Sequence, residues 1–308
     1  MLSAATEVLQ RAELRAVSEQ KAATQIERSD EMQSAERETL LQPGVAPDAV
    51  AVETHEAASH SLNEKCSDVF GQFKSLQVSV PAENRLVCLT DNESLAAENF
   101  RFLGVRLQQI RREQPLKKVL ITSTIPQEGK SMISANLACT LARRTQQKTL
   151  LVEGDVRRPS LSHVFGLGRI PGICEWLEGE RSLEKSIYYL DSPGLWILPA
   201  GSPAGNPLEL LQSRRLSSLM DQVTAWFDWI IIDSPPVLPL ADTSVWTRLT
   251  DGILLVARQG TTEKRQLMRG LEALDRKKLI GAVLNCAKDA ARSDYYYQRP
   301  SASGLAAE

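Results

Sequence analysis

The 308-residue sequence predicts an α/β fold, a mostly parallel central sheet with helices on both faces, and three observations predict it. Six short apolar runs, at 119–122, 149–152, 195–198, 229–232, 252–257 and 279–284, alternate with helical segments at 131–143, 208–224, 242–248 and 264–274. Such alternation is the signature of parallel strands joined by crossover helices. Several runs, such as Trp229-Ile230-Ile231-Ile232, are unbroken in their apolar character, as strands buried on both faces are. Three of them pass directly into turn or acidic residues, and ligands in such sheets bind at the carboxyl ends of the strands.

Taken in order, the chain begins with a leader, residues 1–80, that differs from the rest. No aromatic residue precedes Phe70, and Ala, Glu, Ser, Gln and Arg dominate. Apolar residues are too sparse there to build a core, so a flexible, disordered leader is expected. The folded domain is expected over 81–292. Residues 93–112 read as an amphipathic helix with Leu95, Phe102, Val105, Leu107 and Ile110 on its apolar face, ended by Pro115. Residues 293–308 revert to a polar, flexible tail.

The totals exclude several classes. A net charge of -2 gives no general electrostatic reason to bind nucleic acid. Five cysteines without C-x-x-C spacing read as reduced thiols of a cytoplasmic protein, and the three histidines have no metal-ligand spacing. No run reaches 18 apolar residues, and the N-terminus lacks a signal-peptide pattern, so a cytoplasmic location is expected.

The first strand runs into Ser123-Thr124-Ile125-Pro126-Gln127-Glu128-Gly129-Lys130-Ser131, and a helix opens with Met132. This is a strand–loop–helix phosphate-binding layout. Backbone N–H groups of Pro126 to Met132 (the proline excepted) and the helix dipole face an anion. Lys130 reaches its β- and γ-phosphates and the Ser131 hydroxyl ligates magnesium. The pattern is imperfect: Thr124 stands where the strict motif has glycine.

The second strand ends in Glu153-Gly154-Asp155-Val156-Arg157-Arg158-Pro159, an acidic pair at i, i+2 suited to hold magnesium or accept a hydroxyl proton. The fourth strand runs into Asp233-Ser234-Pro235-Pro236, which places an aspartate on the magnesium side of a central strand. Three signals in this order predict a P-loop NTPase-type fold that binds ATP with magnesium. Ser131, Asp155 and Asp233 are the candidate metal ligands.

These three segments together resemble the bacterial protein-tyrosine kinases, cytoplasmic autokinases of capsule and exopolysaccharide chain-length control. The resemblance covers roughly residues 90–297. A triple Tyr295-Tyr296-Tyr297, in a chain with five tyrosines, supports it independently: a tyrosine run in a polar terminus buries nothing. The resemblance implies that Lys130, Glu153, Asp155 and Asp233 are catalytic. Glu153 takes the tyrosine proton, with Asp155 the other candidate. Asn285 matches a position where relatives contact adenine, and the tyrosine cluster is phosphorylated on a neighbouring subunit. It also implies activation by the cytoplasmic tail of an inner-membrane polysaccharide co-polymerase.

The chain departs from the family pattern at several places. Glu153 replaces the usual aspartate, and its extra methylene lengthens the reach. Gln127 replaces a frequent glycine, which requires a negative φ there. The self-association motif E-x-x-R-x-x-R becomes Glu98, Arg101, Gly104, which puts a ring oligomer in question. Two other readings stay open: a partitioning-type ATPase, although Ile125 stands where those carry a second lysine, and a non-catalytic nucleotide-dependent scaffold.

Overall fold

A computed structural model describes residues 69–80, 84–143, 147–202, 205–238 and 241–287. In chain order the elements are β1 (Lys74–Leu76), α1 (Val87–Thr90), α2 (Leu95–Glu113), β2 (Lys118–Ser123), α3 (Lys130–Ala142), β3 (Thr149–Glu153), α4 (Leu161–Val164), α5 (Ile173–Glu178) and α6 (Leu183–Ser186). They continue as β4 (Tyr188–Leu190), β5 (Leu195–Leu198), α7 (Pro207–Gln212), α8 (Arg214–Trp226), β6 (Trp229–Asp233), α9 (Asp242–Leu249), β7 (Gly252–Arg258), α10 (Lys264–Ala273) and β8 (Leu279–Asn285).

The eight strands form one sheet in the order β1-β4-β5-β3-β6-β2-β7-β8. Every pairing is parallel except β4 with β5. Because strand side chains alternate between faces, each apolar run feeds two cores. Leu120, Leu150, Ile230, Ile232 and Leu255 pack with Leu216, Leu219, Val223 and Trp246 on one side. Val119, Ile121, Leu151, Ile231 and Val256 pack with Leu107, Leu137 and Leu141 on the other. Each fully buried Leu or Ile contributes about 1.5–3 kcal/mol, so the unbroken runs read in the sequence are what hold the sheet between two helical layers.

Four expectations change. The folded region starts before Pro81: β1 pairs with β4, and Phe70 sits 5.2 Å from Trp196 and 5.5 Å from Phe227, edge to face. Phe70 is the first aromatic residue of the chain, and packing it offsets the ordering of the segment. The helix expected over 208–224 is two helices, because Ser213 is extended (φ −63°, ψ 150°). The short strands β1 and β4 were not expected.

The apolar face of α2 is also different. Phe102 is 72% exposed and Val105 42% exposed, whereas Ala97, Gly104 and Leu107 are buried. At 100° per residue, positions 97, 100, 104 and 107 share one side, and Phe102 and Val105 fall away from it. The side that packs on α3 carries Gly104, where a Cβ would lie 3.6 Å from Leu141, an ordinary contact. Beside it, Glu98 and Arg101 pair with each other at i, i+3.

Candidate active site

The strand order puts β3, β6 and β2 side by side, and register sets their ends level: Asp233 pairs across to Ile121 on one side and to Glu153 on the other. The loop from Thr124 to Gly129 leaves β2 at this end, and α3 rises from it. Gly129, at φ 93°, caps α3 in a left-handed conformation that favours glycine. The first N–H groups of α3 have no intrahelical partners, which suits this end to receive an anion.

Lys130 is where the three segments meet. Its ammonium lies 3.0 Å from Asp155 Oδ2 and 3.9 Å from Asp233 Oδ1, and 3.4 Å from the Ser131 hydroxyl. Burial works against its charge, but the two aspartates outweigh burial and raise its pKa above the usual range. Asp233 is fully buried; burial pushes its carboxyl up to about 6 against the pull of Lys130. Its Oδ1 is 3.4 Å from the Ser134 hydroxyl, while its Oδ2 is buried without a hydrogen-bond partner. That orphaned oxygen, with Ser131 and Asp155, makes an all-oxygen donor set that fits magnesium. Magnesium takes one or two carboxylates and completes its shell with phosphate and water.

Glu153 is placed differently from its neighbours. It is 1% exposed; Oε1 accepts the backbone N–H groups of Ser160 and Leu161, and Oε2 accepts Ala200 N–H at 2.9 Å. Both oxygens are thus engaged in joining β3 to α4 and to the loop after β5. Burial raises its pKa against the pull of these donors. Asp155 is the acid of this segment that faces Lys130.

Gln127 overturns one expectation. Its φ is 67°, positive although the side chain is not glycine. A left-handed residue other than glycine costs about 1 kcal/mol; here the Gln127 carbonyl accepts from Arg258 Nη1 at 3.2 Å, a contact that holds the turn. Next to it the buried Glu128 carboxylate accepts Ile125 N–H at 2.9 Å and the Thr262 hydroxyl. Asn285 donates its amide to Glu128 O at 2.9 Å, so it grips the phosphate loop. Pro126 is exposed and Met132 half-buried beside this loop. Tyr295, Tyr296 and Tyr297 lie outside the described residues.

Arg258, Thr262, Asp242 and Trp246 were missed in the sequence. Asp242 and Trp246 carried a signal, an acid and a large aromatic at i, i+4 on the helix after the Asp233 strand.

No family model matches the sequence. Among curated proteins, "Tyrosine-protein kinase YwqD" of Bacillus subtilis is 33% identical over 217 residues, 70% of this chain and 91% of that protein. The chain belongs to the bacterial tyrosine-protein kinases. The kinase is also similar in structure to the kinase domain of the Escherichia coli tyrosine kinase ETK, with a TM-score of 0.62 and 28% identity over 67% of this chain and 82% of that one. "Succinoglycan biosynthesis transport protein ExoP" of Rhizobium meliloti is 34% identical over 198 residues, 62% of this chain. The kinase spans most of YwqD but only 25% of the length of ExoP. Among the described residues of the kinase, no helix is long and apolar enough to cross a membrane.

Proposed function

We propose that the chain is an ATP- and magnesium-dependent protein-tyrosine autokinase that phosphorylates Tyr295, Tyr296 and Tyr297 on a neighbouring copy. The observation that carries this is the Lys130 ammonium held between Asp155 and Asp233. In phosphoryl transfer the protein's work is positioning and charge stabilisation. The α3 N-terminus binds the phosphates, Lys130 turns from the carboxylates to the transferring group, and Asn285 and Glu128 fix the loop. Ser131, Asp155 and Asp233 would hold a magnesium ion, which would supply neutralisation of phosphate charge. Asp155, the acid of this segment that faces Lys130, takes the tyrosine proton, while Glu153 holds the strand end in place. The similarity to ExoP supports a role in exopolysaccharide or capsule production in the cytoplasm, with the cytoplasmic tail of an inner-membrane co-polymerase as activating partner.

The test is intact mass after incubation with ATP and magnesium, with and without that tail, followed by fragmentation. Phosphate is expected on residues 295–297 and absent in Lys130→Met. Normal incorporation by Lys130→Met sinks the mechanism. Nucleotide binding without any phosphate, even with the tail, makes the chain a scaffold instead.

A further inference from the structure

Outside the phosphate loop, one helix touches both acidic segments at once. α9 begins at Asp242, whose carboxylate is fully buried and takes the Arg157 guanidinium in two hydrogen bonds, from Nε at 2.6 Å and from Nη2 at 3.1 Å. One turn later on the same face, the buried Trp246 donates its indole N–H to Gly154 O at 3.1 Å. Gly154 and Arg157 lie on either side of Asp155, so the backbone that carries this aspartate is fastened twice to α9. The hydroxyl of Thr243, between them, donates to Pro235 O at 2.9 Å, two residues beyond Asp233. Gly154 N–H also donates to Asp233 O at 2.7 Å. There is no slack in this joint: a Cβ at Gly154 would stand 2.8 Å from the Trp246 ring.

We propose that the first turn of α9, through Asp242 and Trp246, is a positioning element that sets Asp155 relative to Asp233 and so sets how tightly the site holds a divalent cation with nucleotide. This rests on the reading of the site as a magnesium–ATP site. The side-chain contacts of Asp155, with Lys130 at 3.0 Å and Arg158 N–H at 3.1 Å, come from a group that must turn to phosphate and from its own loop. Neither fixes the loop to the rest of the fold; Asp242 and Trp246 do. A two-point guanidinium–carboxylate pair fixes direction as well as charge, which a lysine ammonium does not. Loss of partners that orient a metal-binding group commonly lowers metal affinity by about 10- to 100-fold.

The experiment uses the full chain and a fluorescent ADP analogue, titrated with magnesium, so that no turnover is needed. Asp242→Asn keeps the shape and removes the charge; Arg157→Lys keeps the charge and removes the fork, on a side chain that is 36% exposed. Each is expected to raise the magnesium concentration for half-maximal tightening of the nucleotide by about tenfold or more, with magnesium-free affinity unchanged. The double variant is expected to be no worse than the more affected single, because both break one pair. An unchanged magnesium midpoint in Arg157→Lys, or equal losses with and without magnesium, overturns the proposal. Should Asp242→Asn fail to melt cooperatively, Arg157→Lys decides alone. Absence of magnesium-dependent binding in the unsubstituted chain instead overturns the site reading, and the proposal with it.

Discussion

Shortening Glu153 to Asp restores the residue of the family pattern, yet the structure makes it a destabilising change. The carboxylate withdraws by one C–C bond, about 1.5 Å. Its donors come from two separate segments, Ser160 and Leu161 at the start of α4 and Ala200 after β5. No single backbone shift follows the shorter side chain to both. Hydrogen bonds to an ionised group contribute about 1.5–3 kcal/mol each, so losing one and weakening two others costs about 3–5 kcal/mol. Glu153→Gln keeps the length and one acceptor oxygen but turns an NH2 group toward a backbone donor, at about 2–3 kcal/mol. The expected order of stability is parent, Gln, Asp, read from urea midpoints at constant m-value. An Asp variant as stable as the parent, or more stable than Gln, refutes the anchoring role of Glu153.

Two further outcomes follow from buried positions. Asp233 binds its proton more tightly folded than unfolded, so stability falls as pH rises from about 4 to about 6; the rise from 3.8 to about 6 corresponds to about 3 kcal/mol. Asp233→Asn is therefore expected to melt higher at pH 7–8 and to lose that pH dependence, and an unchanged profile rejects the assignment. Gly104→Ala adds a methyl at ordinary contact distance, 3.6 Å from Leu141 and 3.7 Å from Thr140. It is expected to stabilise by about 0.5–1 kcal/mol; a lower melting temperature means α2 and α3 have no room for it.

The parts of the fold that were legible in the sequence are those where burial on both faces leaves no choice of residue. Val119-Leu120-Ile121 and Ile230-Ile231-Ile232 are apolar because each strand is walled by two cores, and that pattern survives without any partner being known. The three-residue strands β1 and β4 are too short for such a run: β1 lies at the sheet edge, and β4 sits between β1 and β5 with Tyr189 against Trp196. Phe102 counts as part of an apolar face in the sequence yet is exposed, because the buried side of α2 carries Gly104 and Ala97, small residues that contribute little to an apolar count. At the site, Lys130, Asp155 and Asp233 were legible because the chemistry needs those groups at strand ends. Asp242 was not, nor was the role of the Glu128 side chain, because each works through a partner, Arg157 or Thr262, that lies far along the chain. The positive φ of Gln127 was unreadable for the same reason, since Arg258 holds its carbonyl.

The sheet order has a consequence for synthesis. β2, which carries the phosphate loop, has β6 and β7 as its two neighbours, and both are encoded more than a hundred residues later. A nascent chain therefore carries the loop long before it has walls, with both edges of an apolar strand open to pairing with other chains. On the proposed reading, nucleotide has no complete site until β6, β7 and Asn285 at the end of β8 have been made. Truncated products that end before β7 leave one edge of β2 open and are expected to aggregate more readily than the full chain.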